Sequence, residues 1–236
     1  MKEKNKYHIA DIVNIIVFYC VATCFVVALI MGIVQYAQGD LELKKVLFRT
    51  SFVLLMCVPY LIKKVFKVTF SRVVSIIFYL YMFLAAFLGN VLEFYITMAE
   101  WDMFIHFLMG MALSVLSIYL LNATIYKKDK SRHNMFFTAI FMIIFAMGVG
   151  ALWEIWEFCG DLIFDINAQK YLKYGELLVG REAIFDTMMD LVMDFLGAIT
   201  GVVFTFVMIK INKRFLKTFT IKKLRDSEQE IENIEE

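Results

Sequence analysis

The chain has 236 residues, 61% of them hydrophobic and 16% aromatic, with mean hydropathy +0.71. A soluble domain is about 45–50% apolar, so the composition excludes one and points to an integral membrane protein. The net charge of +1 comes from basic residues dispersed among apolar runs, which excludes a nucleic-acid-binding patch.

Apolar runs at about 12–34, 46–62, 73–95, 101–121, 135–158 and 184–209 predict six transmembrane helices, each near the roughly 20 residues that a bilayer requires. The first run exceeds the apolar core of a cleaved signal peptide and is read as a retained helix. Between the runs, basic residues fall on alternate sides. With both termini inside, 18 Lys and Arg are cytoplasmic, in groups of three, four, four and seven. Lys44, Lys45, Lys170, Lys173 and Arg181 fall outside, and Arg49 lies within the second run. The positive-inside rule therefore predicts an all-α protein with both ends in the cytoplasm. The expected organisation is a six-helix domain over 1–217 followed by a charged cytoplasmic tail over 218–236. The single proline, Pro59, leaves no Pro-rich linker to mark a second domain. Cys20, Cys24, Cys57 and Cys159 lie in or beside apolar runs without paired or zinc-type spacing and read as small hydrophobes.

Ionisable residues inside such runs are the informative exceptions. On the sixth helix, Asp186, Asp190 and Asp194 are spaced i, i+4, i+8 and so share one stripe. One carboxylate at the centre of a membrane helix costs roughly 2.5–3.5 kcal/mol on the insertion scale. Three on one face therefore need a cation, shared protons or water. On the fourth helix, Asp102 and His106 are one turn apart, so the carboxylate is expected to fix the imidazole tautomer. Glu154, Glu157 and Asp161 lie at the outer end of the fifth helix, and Asn90 and Glu93 at the outer end of the third. The predicted topology puts all of these at one depth, implying a polar cavity open to the extracytoplasmic side, within about 85–205. Asp102, Glu154 and Asp161 also admit a plainer reading as interfacial residues meeting water, beside Trp101, Trp153 and Trp156.

Clustered carboxylates cannot all ionise in a low-dielectric site unless a cation neutralises them. Oxygen ligands with one imidazole suit a divalent metal ion without choosing its identity. The candidate metal ligands are His106, Glu154, Glu157, Asp186, Asp190 and Asp194, and the candidate catalytic residues are His106, Asp102 and Asp190. Arg181, just before the sixth helix, offers a guanidinium to an anionic group such as a phosphate. With Glu93 and Asn90 it completes the candidate substrate-binding set. The segments Asp102-x-x-x-His106-Phe107-Leu108-x-Gly110 and Asp190-x-x-x-Asp194-Phe195-Leu196-Gly197 also look alike.

The order Asp102-x-x-x-His106-Phe107, Glu154-x-x-Glu157, Gly180-Arg181 and Asp190-x-x-x-Asp194-x-x-Gly197 resembles the VanZ-like membrane proteins. Met103, Glu157 and Asp194 stand where that pattern has Lys, Gln and Asn, each change making the site more negative. The wider spacing and Asp186-Thr187-x-x-Asp190 are more similar to the YjdF-type bacterial inner-membrane family. The resemblance implies a cell-envelope context and assigns no reaction. Three classes stay open: a metal-assisted enzyme acting on a phosphorylated lipid or other envelope amphiphile, a cation- or proton-coupled carrier, and a non-catalytic membrane protein that binds an envelope ligand. Membrane lipid is the expected partner in each.

Overall fold

The computed structural model describes residues 2–39, 72–98, 100–124 and 134–212, with short pieces at 43, 46–47, 55–58, 61, 64–65, 68–69, 215 and 222–223. The second expected span, the basic segments near 63–67 and 127–132, and most of the tail lie largely outside these residues. The described chain is helical, and five helices are long and apolar enough to cross a membrane: Ile15–Gln38, Val74–Val91, Trp101–Ile118, Met135–Phe164 and Glu182–Ile211.

Two compact units partition it, one formed by Met1–Leu92 with Arg214–Glu236 and the other by Glu93–Lys213. In the first, α1 (Lys2–Gln38) packs on α2 (Arg72–Met82) and on the segment that follows it. The expected third helix does not continue as an α-helix. From Phe83 to Val91 it widens into a π-helix, with Leu92 N–H donating to Phe87 O (2.9 Å) and Asn90 Nδ2 to Ala85 O (3.4 Å). The backbone bond from Leu92 reaches five residues back, the π repeat, and the Asn90 side chain binds a carbonyl of the same turn.

The second unit opens with α3 (Phe94–Thr97) and is dominated by α4 (Trp101–Thr124), α5 (Met135–Phe164) and α6 (Phe185–Ile211). Asn134 caps α5, its Oδ1 accepting from Phe136 and Phe137 N–H. The three long helices each bury one stripe and turn apolar side chains such as Phe136, Leu152 and Val203 outward, the inverse of a soluble bundle. On α5 the stripe is Thr138, Met142, Ala146, Gly150 and Glu154, at a strict spacing of four.

Glycines set how closely the helices approach. A Cβ on Gly110 would collide with the backbone carbonyl of Asp194, one on Gly197 with Phe107 O, and one on Gly201 with Ser114 Oγ. Gly197 and Gly201 form a G-x-x-x-G pair, which in membranes lets backbones meet and gain dispersion contacts where burial from water offers little. His106 meets Asp194 and, further along, Ser114 meets Gly201, so α4 and α6 run parallel. Along α5 residue numbers fall instead, because Gly150 faces Asp194 while Glu154 faces His106. At 1.5 Å per residue, the 30-residue α5 is about 45 Å long against a hydrocarbon core of about 30 Å. Its last three turns carry Glu154, Glu157 and Asp161, so this charged end is the one expected at the edge of the bilayer.

A candidate cation centre at one end of the bundle

At that edge, α4 and α6 begin and α5 ends, and their charged residues meet. His106, 2% exposed, is the hub. Its Nδ1 lies 3.3 Å from Asp194 Oδ2, and its Nε2 lies 3.8 Å from Asp102 Oδ1 and 3.7 Å from Glu154 Oε1. The shortest contact is thus to Asp194 on α6, which takes the tautomer-fixing role expected of Asp102. A proton on Nδ1 pointing to Asp194 leaves Nε2 as the lone-pair nitrogen, aimed at Asp102 and Glu154.

Asp194 can approach because Gly150 has no side chain. A Cβ there would collide with Asp194 Oδ2, and Gly110 leaves room for the Asp194 backbone on the opposite side. Asp190, one turn earlier and 1% exposed, completes the inner set. Asp102, His106 and Asp190 each offer a ligand atom within 4.8 Å of the others, and all three are buried. Burial of Asp102, Glu154 and Asp161, at 8%, 5% and 8% exposure, also replaces the plainer reading of them as solvated interfacial residues.

The outer half was less visible in the sequence. Lys170, expected only as an outside loop charge, reaches back to place Nζ 2.6 Å from Asp102 Oδ2 and 2.7 Å from Asp186 Oδ1. The loop that delivers it is tightly built. Asp161 accepts from the N–H groups of Ala168 (2.6 Å) and Gln169 (3.0 Å), and Gln169 Nε2 donates to Thr187 Oγ1 (3.0 Å). Asn167 bonds both the carbonyl and the N–H of Leu172. Asp165, Asn167, Lys170 and Tyr174 all have positive φ, a concentration of left-handed backbone that ordinary loops avoid. A short hairpin, β2 (Leu172–Lys173) with β3 (Glu176–Leu177), taking Val68–Thr69 as β1, closes the loop. Burial opposes the Lys170 charge, but the carboxylates of Asp102 and Asp186 outweigh it and hold the ammonium above its ordinary value.

The cluster thus joins Asp102, His106, Glu154, Asp186, Asp190 and Asp194, all expected from the sequence, with Lys170, which was not. Glu157 belongs to its margin: Oε1 accepts from Trp153 Nε1 (3.1 Å) and Oε2 is buried without a hydrogen-bond partner among the described residues. Arg181 is exposed ahead of a 3₁₀ turn at Glu182–Ile184. The contacts above do not include Glu93, which starts α3 with φ 60° and a carbonyl accepting from Ile96 and Thr97. Asn90 belongs to the first unit. The internal likeness of Asp102-x-x-x-His106 to Asp190-x-x-x-Asp194 sets His106 against Asp194 and Asp102 near Asp190, while Asp102 also meets Asp186 through Lys170.

Residues 16–211 match a family described as Predicted membrane protein (DUF2238). The chain belongs to that family. A protein of Thermotoga maritima described as uncharacterized is 30% identical over 145 residues, covering 60% of this chain and 66% of that one. No solved structure matches. Family and helices together make this a multi-pass membrane protein with a buried acidic and histidine-containing cluster.

Proposed function

We propose that the cluster is a divalent-cation centre of a membrane enzyme acting on a phosphorylated lipid or other envelope amphiphile. The supporting observation is the convergence of Asp102, His106 and Asp190 within 4.8 Å inside an apolar bundle. Beside them, Asp190 Oδ2, Asp194 Oδ1 and both oxygens of Glu154 are buried without hydrogen-bond partners among the described residues. Unpaired buried carboxylates are costly, and carboxylate with imidazole is a donor set that fits Mg²⁺, Mn²⁺, Fe²⁺ or Zn²⁺. An ion so held polarises a bound oxygen and lowers the pKa of water. Asp102, His106 and Asp190 would hold it, Asp194 would orient His106, and Glu154, 3.7 Å from Nε2, would accept a proton. The VanZ-like order of motifs supports an envelope substrate, and loop charge supports an extracytoplasmic opening.

Detergent-purified protein stripped with EDTA is expected to take up one Mn²⁺ per chain by titration calorimetry. Asp190→Ala and His106→Ala are each expected to abolish that uptake. Uptake unchanged in both variants, or none in the wild type, would reject the metal reading.

A carrier is the second reading, and one observation favours it. Ser114, Ser117, Thr138 and Thr205 are buried on the same interior stripes, further along the bundle, and Thr205 Oγ1 has no hydrogen-bond partner among the described residues. The run 202–208 is therefore less uniformly apolar than its average hydropathy implies. Cation flux into proteoliposomes that stops in Thr205→Val would select the carrier.

A further inference from the structure

Asp102 presents one oxygen to His106 and the other to Lys170, so it stands between two positions where positive charge collects. The inner one, among Asp102, His106 and Asp190, is the cation centre proposed above, on which this inference rests. The outer one lies between Asp102 Oδ2 on α4 and Asp186 Oδ1 on α6, and a lysine ammonium occupies it.

We infer that the centre has two cation positions sharing Asp102, and that Lys170 is the displaceable occupant of the outer one. Two-metal sites use a bridging carboxylate in this way, with ions roughly 3.5–4 Å apart. Here one of the two charges is supplied by the chain. Charge balance carries the argument further. Asp102, Glu154, Asp186, Asp190 and Asp194 face one lysine and one histidine. A single divalent ion with Lys170 therefore still leaves the carboxylates in excess. The acceptors for more positive charge exist: Asp190 Oδ2, buried in a residue 1% exposed, and Asp186 Oδ2, which lies on the outer carboxylate itself, both lack hydrogen-bond partners among the described residues.

Lys170 is also placed to leave. Its side chain is 37% exposed, whereas those of Asp102 and Asp186 are 11% and 18% exposed. It comes from a loop, while both of its partners are fixed on helices. Its departure would expose a pair of preorganised carboxylates suited to a hard divalent cation, and would couple occupancy of the outer position to release of the loop.

Titration of EDTA-stripped full-length protein with Mn²⁺ tests this. Wild type is expected to bind one ion tightly and a second only at much higher Mn²⁺, Lys170→Met and Lys170→Gln two tightly, and Lys170→Met/Asp186→Asn one again. Lys170→Arg, which keeps the charge, should stay at one. Uptake by Lys170→Met and Lys170→Gln no greater than wild type overturns the inference while leaving the inner centre standing. No uptake by wild type but one ion in Lys170→Met would keep the outer position and reject the inner one. No uptake by any variant overturns both. A measurement on wild type removes dependence on variant folding: acetylation of Lys170, read by mass spectrometry, should rise several-fold at saturating Mn²⁺. Acetylation that is unchanged by Mn²⁺ counts against displacement.

Discussion

Gly150→Ala is expected to lower Mn²⁺ affinity by roughly 10- to 100-fold, the loss typical when the partner that orients a metal-binding histidine is disturbed. The added Cβ would run into Asp194 Oδ2. The atom in the way is the tip of a side chain, so the carboxylate moves and the helices stay. What is lost is the 3.3 Å contact to His106 Nδ1, and with it the fixed direction of Nε2. Gly148→Ala on the same helix is the control, since a Cβ there meets nothing within 4 Å. A double-mutant cycle separates positioning from general packing. Asp194→Ala removes the colliding group and the orienting group together, so adding Gly150→Ala to it should cost little more. Additive losses would mean that Gly150 matters for helix packing and not through Asp194.

The parts of this site legible in the sequence are those where a charge interrupts an apolar run. Asp190, Asp194, His106 and Glu154 are conspicuous for that reason, and helical spacing was enough to put each on the right stripe. Their meeting at one end followed from counting spans. Lys170 was hidden because a lysine in a polar loop is ordinary; only the left-handed turns at Asp165, Asn167 and Lys170 send it inward, and these depend on backbone hydrogen bonds accepted by Asp161 and Asn167 that spacing does not encode. Gly150 was equally silent, since a glycine in a membrane helix reads as packing until the group opposite is known. The π-helix at Phe83–Val91 carries neither proline nor charge to announce it. Thr205 disappeared into the average hydropathy of its run. Lys170 and Gly150 act through partners distant in sequence, which periodicity cannot see.

Asp161→Ala is expected to open the loop that carries Lys170. It removes the acceptor of two charge-assisted bonds to backbone N–H groups, each contributing about 1.5–3 kcal/mol. The left-handed turns then lack what holds them, and the ammonium is no longer delivered to Asp102 and Asp186. Limited trypsin digestion at pH 7.5 should show cleavage after Lys170 and Lys173 accelerated at least tenfold, while Asp161→Asn, retaining one acceptor oxygen, falls between. The same assay reads the pH dependence of the ion pairs. Lys170 is held above its ordinary value of about 10.4. Its contribution is therefore complete below that value and is lost only as pH climbs through the raised one. Cleavage of wild type, corrected for the protease's own profile, should stay flat from pH 7 to 9.5. A rise within that window would mean that the two carboxylates do not hold the ammonium as the 2.6 Å and 2.7 Å contacts require. Fast cleavage in Asp161→Ala with a flat wild-type profile would instead make Asp161 the anchor and Lys170 the latch, one acting through backbone geometry and the other through charge.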